Sequence, residues 1–200
     1  MSEREHDHEH EHDPEGEDEL SEAEARAEVE RLVRKEIALS QIRQYGDPAL
    51  RMRAAPVESF DEELRRLTER MLVLMHDADG IGLAATQIGV LRRFFVCTVD
   101  GEDRVFVNPV VTPVGRDTES DTEGCLSLAS VRVPVERSAR IEVEARDAAG
   151  VTFSLELEGY AARVVQHEVD HLDGKLMLDR TDPEARREAL GVLRPRLVLS

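Results

Sequence analysis

The 200-residue chain is long enough for one domain with a sizeable core, and its 40% hydrophobic content fits a soluble globular protein. No apolar run approaches the roughly 20 residues that span a bilayer, no apolar h-region marks a secretion signal, and the two cysteines, Cys97 and Cys125, are too few for a disulfide framework, so a cytoplasmic, reducing setting is expected. The net charge of −17 is concentrated at one end: residues 1–30 hold fourteen acids and two arginines, which leaves the rest mildly acidic, without a basic patch that argues for sequence-specific nucleic-acid binding.

Residues 1–20 alternate acid and histidine with no apolar residue between Met1 and Leu20, too little to offset their ordering entropy, and read as a disordered tail. His6, His8, His10 and His12 make a composition that binds divalent metal weakly, although a solvated tail is the simpler reading. From Ser21 to Leu39, Ala25, Val29, Leu32, Val33 and Ile37 recur near helical spacing among charges. Residues 21–40 are therefore expected to form an amphipathic helical extension leading into a domain of residues 41–200.

The stretch "IRQYGDPALR" breaks at Gly46 and Pro48, a turn. A second helix is expected from about Ser59 to Asp77, where Ser59 and Glu62 have capping-box spacing and Leu64, Leu67, Met71, Leu74 and Met75 form a core-facing stripe. His76 reads as a helix-terminal residue, since cations are favoured there. In "RFFVCTVDGEDRVFVNP" two β-rich runs flank Asp100-Gly101, a hairpin signal, with Cys97 buried in the first run. A second hairpin is expected where Ile141, Val143 and Ala145, then Val151, Phe153, Leu155 and Leu157, alternate with polar residues. Helical period returns from Tyr160 to Leu172, with Gly174 placed to terminate it, and a last helix starts with Asp182 as N-cap and Pro183 at its first position. The expected fold class is α+β: antiparallel strands and hairpins packed around a central helix.

That helix carries the chemistry. "VVQHEVDHLDG", Val164 to Gly174, sets His167 and His171 one turn apart on the same face, with Glu168 beside them. Two ligands are not a site, and a third must be found. The long two-His pattern that ends in a further histidine places Met177 at that position. A downstream glutamate, Glu184 or Glu188, would complete a thermolysin-like set, but both lie among charges that look solvated. Upstream, "DTEGCLSLAS" puts Cys125 between a glycine and a polar turn, where a thiolate is a strong ligand for zinc or ferrous iron. A lone cysteine is weak evidence, yet beside "GIGLAATQIG" and the two-His helix it becomes strong.

At these three segments the sequence resembles the peptide deformylase family, whose motifs G-x-G-L-A-x-x-Q, E-G-C-L-S and Q-H-E-x-D-H stand in order as Gly80–Gln87, Glu123–Ser127 and Gln166–His171. The resemblance extends through "IRQYGDPALR", "VNP" and "LDRTDPEARR" and so covers roughly Ile42 to Leu190. Two positions depart from the commonest form: Thr86 where proline is frequent, and Ala129-Ser130 where Pro-Gly usually follows the cysteine motif, a change expected to reshape the substrate rim.

The resemblance implies an α+β metal hydrolase that removes the formyl group from the N-terminal formyl-methionine of nascent polypeptides and releases formate. It implies Cys125, His167 and His171 as ligands of one divalent ion, Fe(II) expected, with zinc, nickel or cobalt able to replace it. Glu168 would be the general base, the Gln87 side-chain amide and the Leu126 N–H would be donors to the developing oxyanion, and Gly80 and Gly82 would let backbone pass close to an extended peptide. Glu123 and Asp170 would be supporting residues that orient backbone or ligand groups. Association with the ribosome is left open, and two rivals stand beside this reading: a zinc peptidase, and a metal-binding or ribosome-associated module without turnover.

Overall fold

A computed structural model describes residues 14–193 of the chain, with side chains from residue 21 onward. The acidic, His-rich stretch through Asp13 lies outside the described residues. The first helix, α1 (Pro14–Gln41), starts N-terminal to the expected Ser21. Its apolar residues also behave differently from the expectation: Val29, Leu32, Val33 and Ile37 face solvent, and the contact with the body is made by Ala38 and Leu39, by Arg31 and Lys35 on Asp79, and by Ile42 just beyond the helix.

Helix α2 (Glu62–Asp77) begins three residues later than the capping-box reading placed it. The cap is Asp61, whose side chain accepts from the Leu64 N–H at 3.0 Å, because an aspartate directly ahead of an apolar stripe competes well for the N-cap position. His76 in its last turn bonds Asp103 at 2.7 Å, a structural role as expected.

The strands β1 (Gly82–Ala84), β2 (Phe94–Val99), β3 (Glu102–Pro113), β6 (Arg140–Arg146) and β7 (Thr152–Glu158) form one antiparallel sheet in the order β1-β2-β3-β6-β7. A separate antiparallel pair joins β4 (Thr118–Gly124) to β5 (Arg132–Ser138). The Asp100-Gly101 turn closes the first hairpin with both residues at positive φ, the conformation a tight two-residue connection requires. Strand β2 is buried on both faces over Phe94–Cys97, which is why FFVC reads as an unbroken apolar run, and the half-buried Thr98 that follows bonds Asp103. Phe95 and Cys97 pack with Phe106, Ile141, Ala162 and Val165 toward α3 (Gly159–Leu172). Phe94 and Val96 pack with Leu64, Met71 and Met75 of α2 on the other side. The motif helix is therefore pressed against the sheet, as the alternation of short hairpins and one apolar helix predicted.

A bulge between Val107 and Val110 interrupts the β3–β6 ladder. Asn108 stands there at φ 54° and clamps Val57, accepting from its N–H and donating to its carbonyl, each at 2.8 Å. This accounts physically for the "VNP" stretch. Helix α4 (Pro183–Leu193) closes a third core region over β5, with Asp182 accepting from the N–H groups of Glu184 and Ala185 as its predicted cap. Among the described residues no helix is long and apolar enough to cross a membrane.

Candidate metal centre and active site

Three elements meet at one point. Helix α3 supplies His167, Glu168 and His171, all buried; the turn after β4 supplies Cys125; and the short 3-10 turn Ala85–Ile88 after β1 supplies Gln87, also buried. Cys125 Sγ lies 3.2 Å from His171 Nε2, which lies 3.2 Å from His167 Nε2, and the three ligand atoms all fall within 4.8 Å of one another. This is the one Cys/His/Asp/Glu group among the described residues arranged to hold a metal ion. Met177 is instead part of the apolar core over β5, and Glu184 and Glu188 are exposed on α4, so neither completes the two-His pair.

The imidazoles are held from behind. His167 Nδ1 bonds Glu123 Oε2 at 2.9 Å, which leaves Nε2 facing the other ligands. Arg137 grips both Glu123 oxygens at 2.9 Å, and Arg163 Nη1 donates to Oε1 at 2.9 Å. Asp170 touches neither imidazole; it accepts from Arg137 and from Arg180 and so fixes the guanidinium that fixes Glu123. Gln166 ties α3 to β5 through the Ser138 backbone, accepting from its N–H at 3.1 Å and donating to its carbonyl at 3.0 Å. The Thr86 hydroxyl donates to the His171 carbonyl at 3.2 Å, a bond that proline at this position would lack.

Burial disfavours charge on both imidazoles, but Cys125 and Glu123 outweigh it for His167 and hold that ring protonated well above the ordinary histidine range. Burial and the adjacent His167 cation push His171 well below it. A divalent ion held by the two Nε2 atoms would take the place of a proton on His167, so its affinity would rise with pH. Burial pushes the Glu168 carboxyl up to about 7, with Glu123 adding to the rise while His167 and Arg137 oppose it. Glu168 Oε2 is buried without a hydrogen-bond partner, as is His171 Nδ1.

Gly82 sits directly over Glu168: a Cβ there would lie 2.8 Å from Glu168 Cδ and 3.0 Å from Cγ. Its closeness is to the carboxylate, a constraint that the expectation of room for peptide backbone did not include. A Cβ on Gly80 would lie 2.7 Å from Leu126 Cδ1, so that glycine admits the Leu126 side chain. Gln87 accepts from the Ala84 N–H at 2.8 Å and turns its Nε2 toward Ser127 Oγ at 3.1 Å and Cys125 Sγ at 3.7 Å. These groups open into a cleft of about 780 Å³, walled by Gly80–Gly82 on one side and by Leu126 and Leu128–Arg132 on the other. Ala129 and Ser130 are on that wall, Ser130 at φ 68°.

The matching segments extend well beyond the motifs. The family model for polypeptide deformylase matches residues 39–187. The chain belongs to the peptide deformylase family. The peptide deformylase of Thermotoga maritima is 48% identical over 146 residues, 73% of this chain and 89% of that protein. Peptide deformylase 1 of Corynebacterium efficiens is 44% identical over 162 residues, 79% of this chain and 96% of that protein. The crystal structure of the Thermotoga maritima enzyme superimposes with a TM-score of 0.69 over 71% of this chain and 97% of that one at 48% identity. The Synechococcus elongatus enzyme, solved in complex with actinonin, gives 0.73 over 76% and 86% at 37% identity. This peptide deformylase is thus a metal-dependent hydrolase that removes the formyl group from the N terminus of formylated polypeptides. Its residues fit a metal: one sulfur and two imidazole nitrogens converge, and the unpartnered Glu168 oxygen beside them suits a water bound there.

Sequence reasoning missed Arg137, Arg163 and the α1 side chains Lys35 and Leu39, which also line the cleft. A signal existed for the arginines. Arg137 continues the buried alternation of Val133 and Val135 on β5, and Arg163 lies one helical turn before His167. No comparable signal marked Lys35 and Leu39, because their place depends on how α1 docks.

Proposed function

We propose that Cys125, His167 and His171 bind one divalent ion, Fe(II) in the native enzyme with zinc, nickel or cobalt able to replace it, and that Glu168 is the general base. The observation that carries this reading is the convergence of the three ligand atoms next to a buried carboxylate oxygen that has no partner. When bound, a divalent ion supplies Lewis acidity that makes water nucleophilic near neutral pH. A sulfur-plus-two-nitrogen set accepts any of the four metals.

The substrate is the formyl-methionyl end of a nascent polypeptide, extended along the Gly80–Gly82 edge with its formyl group beside Gln87. Glu168 accepts the proton of the attacking water and returns it to the leaving amine, for which a carboxyl near neutral pKa is suited. The Gln87 Nε2 and the Leu126 N–H donate to the formyl oxygen as charge builds there; one such donor contributes roughly 3 kcal/mol in the transition state. Formate leaves with the free α-amine as coproduct. The enzyme works in the cytoplasm, on chains emerging from the ribosome.

The test is a pair of variants. Glu168→Gln should lose about 10²-fold or more in turnover while keeping about one metal per chain, and Cys125→Ala should lose metal and activity together. Near wild-type formate release from a formyl-Met peptide by Glu168→Gln, or a loss accounted for wholly by missing metal, rejects the general-base role. Cleavage of unformylated internal amides in place of formate release would favour a peptidase.

A further inference from the structure

Helix α1 forms part of the cleft wall, although the family match begins only at residue 39. From residue 21 to 37 every residue is exposed except Lys35, which is half-buried and lines the cleft together with Leu39. Lys35 Nζ bonds Asp79 Oδ2 at 2.9 Å, and Arg31 Nη1 reaches the same oxygen at 2.6 Å. Asp79 follows helix α2 at φ 55°, a left-handed conformation uncommon for a residue with a Cβ, and its N–H and that of Gly80 close the helix on the His76 and Met75 carbonyls. The Gly80–Gly82 edge therefore starts directly from Asp79, and the ion pair with α1 sits at the outer end of that edge.

Distance sets what the pair can meet. Gly82 lies over Glu168, and Asp79 is three residues back along the edge, which at about 3.3 Å per residue is about 10 Å from the reacting carboxylate. A peptide extended along the edge with its formyl-methionine beside Glu168 brings its third or fourth residue to Asp79 and Lys35. On the facing wall stands Arg132, exposed and in register with Gly124. Away from the metal ligands and Glu168, the cleft thus holds two cations, Lys35 and Arg132, against the Asp79 carboxylate, a net +1. Arg31 is offset by Glu28, whose two oxygens it bonds at 2.9 and 2.8 Å, and the inner carboxylate Glu123 is matched by Arg137 and Arg163. Given this cleft as the peptide site proposed above, we infer that Lys35 is a specificity-determining residue: α1 reads the charge of the nascent chain beyond its formyl-methionine, favouring an acidic side chain at the third or fourth position and disfavouring a basic one. One exposed charge contact changes affinity about two- to fivefold. Glu and Lys differ by two charges, so each unit of cleft charge should change the Glu-to-Lys preference about fivefold.

The test measures formate release by the full metal-loaded chain from formyl-Met-Ala-Xaa-Ala and formyl-Met-Ala-Ala-Xaa amides, with Xaa either Glu or Lys. The wild type should prefer Glu about fivefold in kcat/KM at about 0.05 M salt and lose most of that preference at about 0.5 M. The difference should lie in KM, with kcat common to the series, because the contact is remote from the reacting bond. Lys35→Gln should bring the ratio near one, and Lys35→Arg should retain it. Asp79→Asn, which places another residue tolerant of positive φ there, should raise it to about twentyfold. Each ratio is taken on one preparation, so a general loss of activity or metal cancels. A wild type without the preference, or a ratio unchanged in Lys35→Gln, overturns the inference. So does an Asp79→Asn ratio that falls as in Lys35→Gln, since the pair would then only anchor α1. If the wild type releases no formate from either series, the proposed placement of the substrate falls first, and the charge preference with it.

Discussion

Gly82→Ala is the substitution whose effect can be worked most directly from the geometry. The new methyl would sit 2.8 Å from Glu168 Cδ and 3.0 Å from Cγ, and closer still to Oε1. Because the side-chain stem is crowded as well as the carboxylate, rotation about the last torsion cannot relieve the contact, and Glu168 must swing away by about 1 Å. A displacement of that size in a reacting group costs about 10²-fold in rate, or about 2.7 kcal/mol of transition-state stabilisation. Gly82 is not among the glycines at positive φ, so alanine adds no backbone strain and the effect is steric. The overpacking should also lower stability by about 1–3 kcal/mol. The three atoms nearest that methyl all belong to Glu168, so metal content should stay near one per chain. Formate release, metal analysis and a denaturant midpoint on the same preparation separate these effects. If the variant retains full metal and turns over within threefold of wild type, the placement of the Glu168 carboxylate is not what the chemistry depends on.

Glu123→Gln should weaken metal affinity about 10- to 100-fold in a chelator competition, because His167 Nδ1 loses its carboxylate partner. The same change leaves Arg137 with Asp170 as its remaining carboxylate and Arg163 with backbone carbonyls alone in a buried site, and should cost about 3–5 kcal/mol in a denaturant titration; a loss below about 1 kcal/mol would contradict the network's role. Asp179 offers a pH test away from the metal: burial pushes its carboxyl up, but the Leu176 N–H and Arg51 outweigh that and hold it below the usual range. A depressed carboxyl stabilises the fold above the unfolded pKa of about 3.9 and loses that contribution as pH falls through the folded value. Asp179→Asn should therefore lower stability by up to about 1 kcal/mol at pH 7 and narrow the gap to wild type on acidification toward pH 2. Parallel stability curves for the two proteins across that range would contradict it.

The parts of this fold that were legible in sequence are those where local chemistry and burial agree. The Asp100-Gly101 hairpin, the doubly buried β2 run and the Asp182-Pro183 helix start each needed only near neighbours to be read. The group able to hold a metal, Cys125, His167 and His171, was legible once three motifs were weighed together, since Cys125 alone does not differ from a structural cysteine. What sequence could not deliver was long-range pairing. The bond from Arg137 to Glu123 spans 14 residues and that from Arg163 spans 40, so each guanidinium looks like an ordinary surface charge until the sheet pair and α3 are brought together. Helix α1 failed for a related reason. Helical periodicity reveals an apolar face but not which side the rest of the chain occupies, and here the body contacts the Arg31–Lys35–Ala38 side while the apolar row is left outside.

The two carboxylates nearest His167 show how one small site keeps two roles apart. Glu123 and Glu168 are both almost fully buried, and burial alone would raise both pKa values. For Glu123, the Arg137 guanidinium and His167 outweigh that cost and hold the carboxyl far below the usual range, so it stays ionised at every working pH. Its oxygens are filled by two arginines and the His167 Nδ1, which leaves no capacity to accept a proton from a reacting water. Glu168 bonds no guanidinium among the described residues, keeps one oxygen unpartnered, and is pushed up to about 7. Environments that drive paired acids in opposite directions separate the group that orients from the group that moves a proton. On that ground we propose Glu123 as the fixed anion that aims His167 and Glu168 as the acid and base of the reaction.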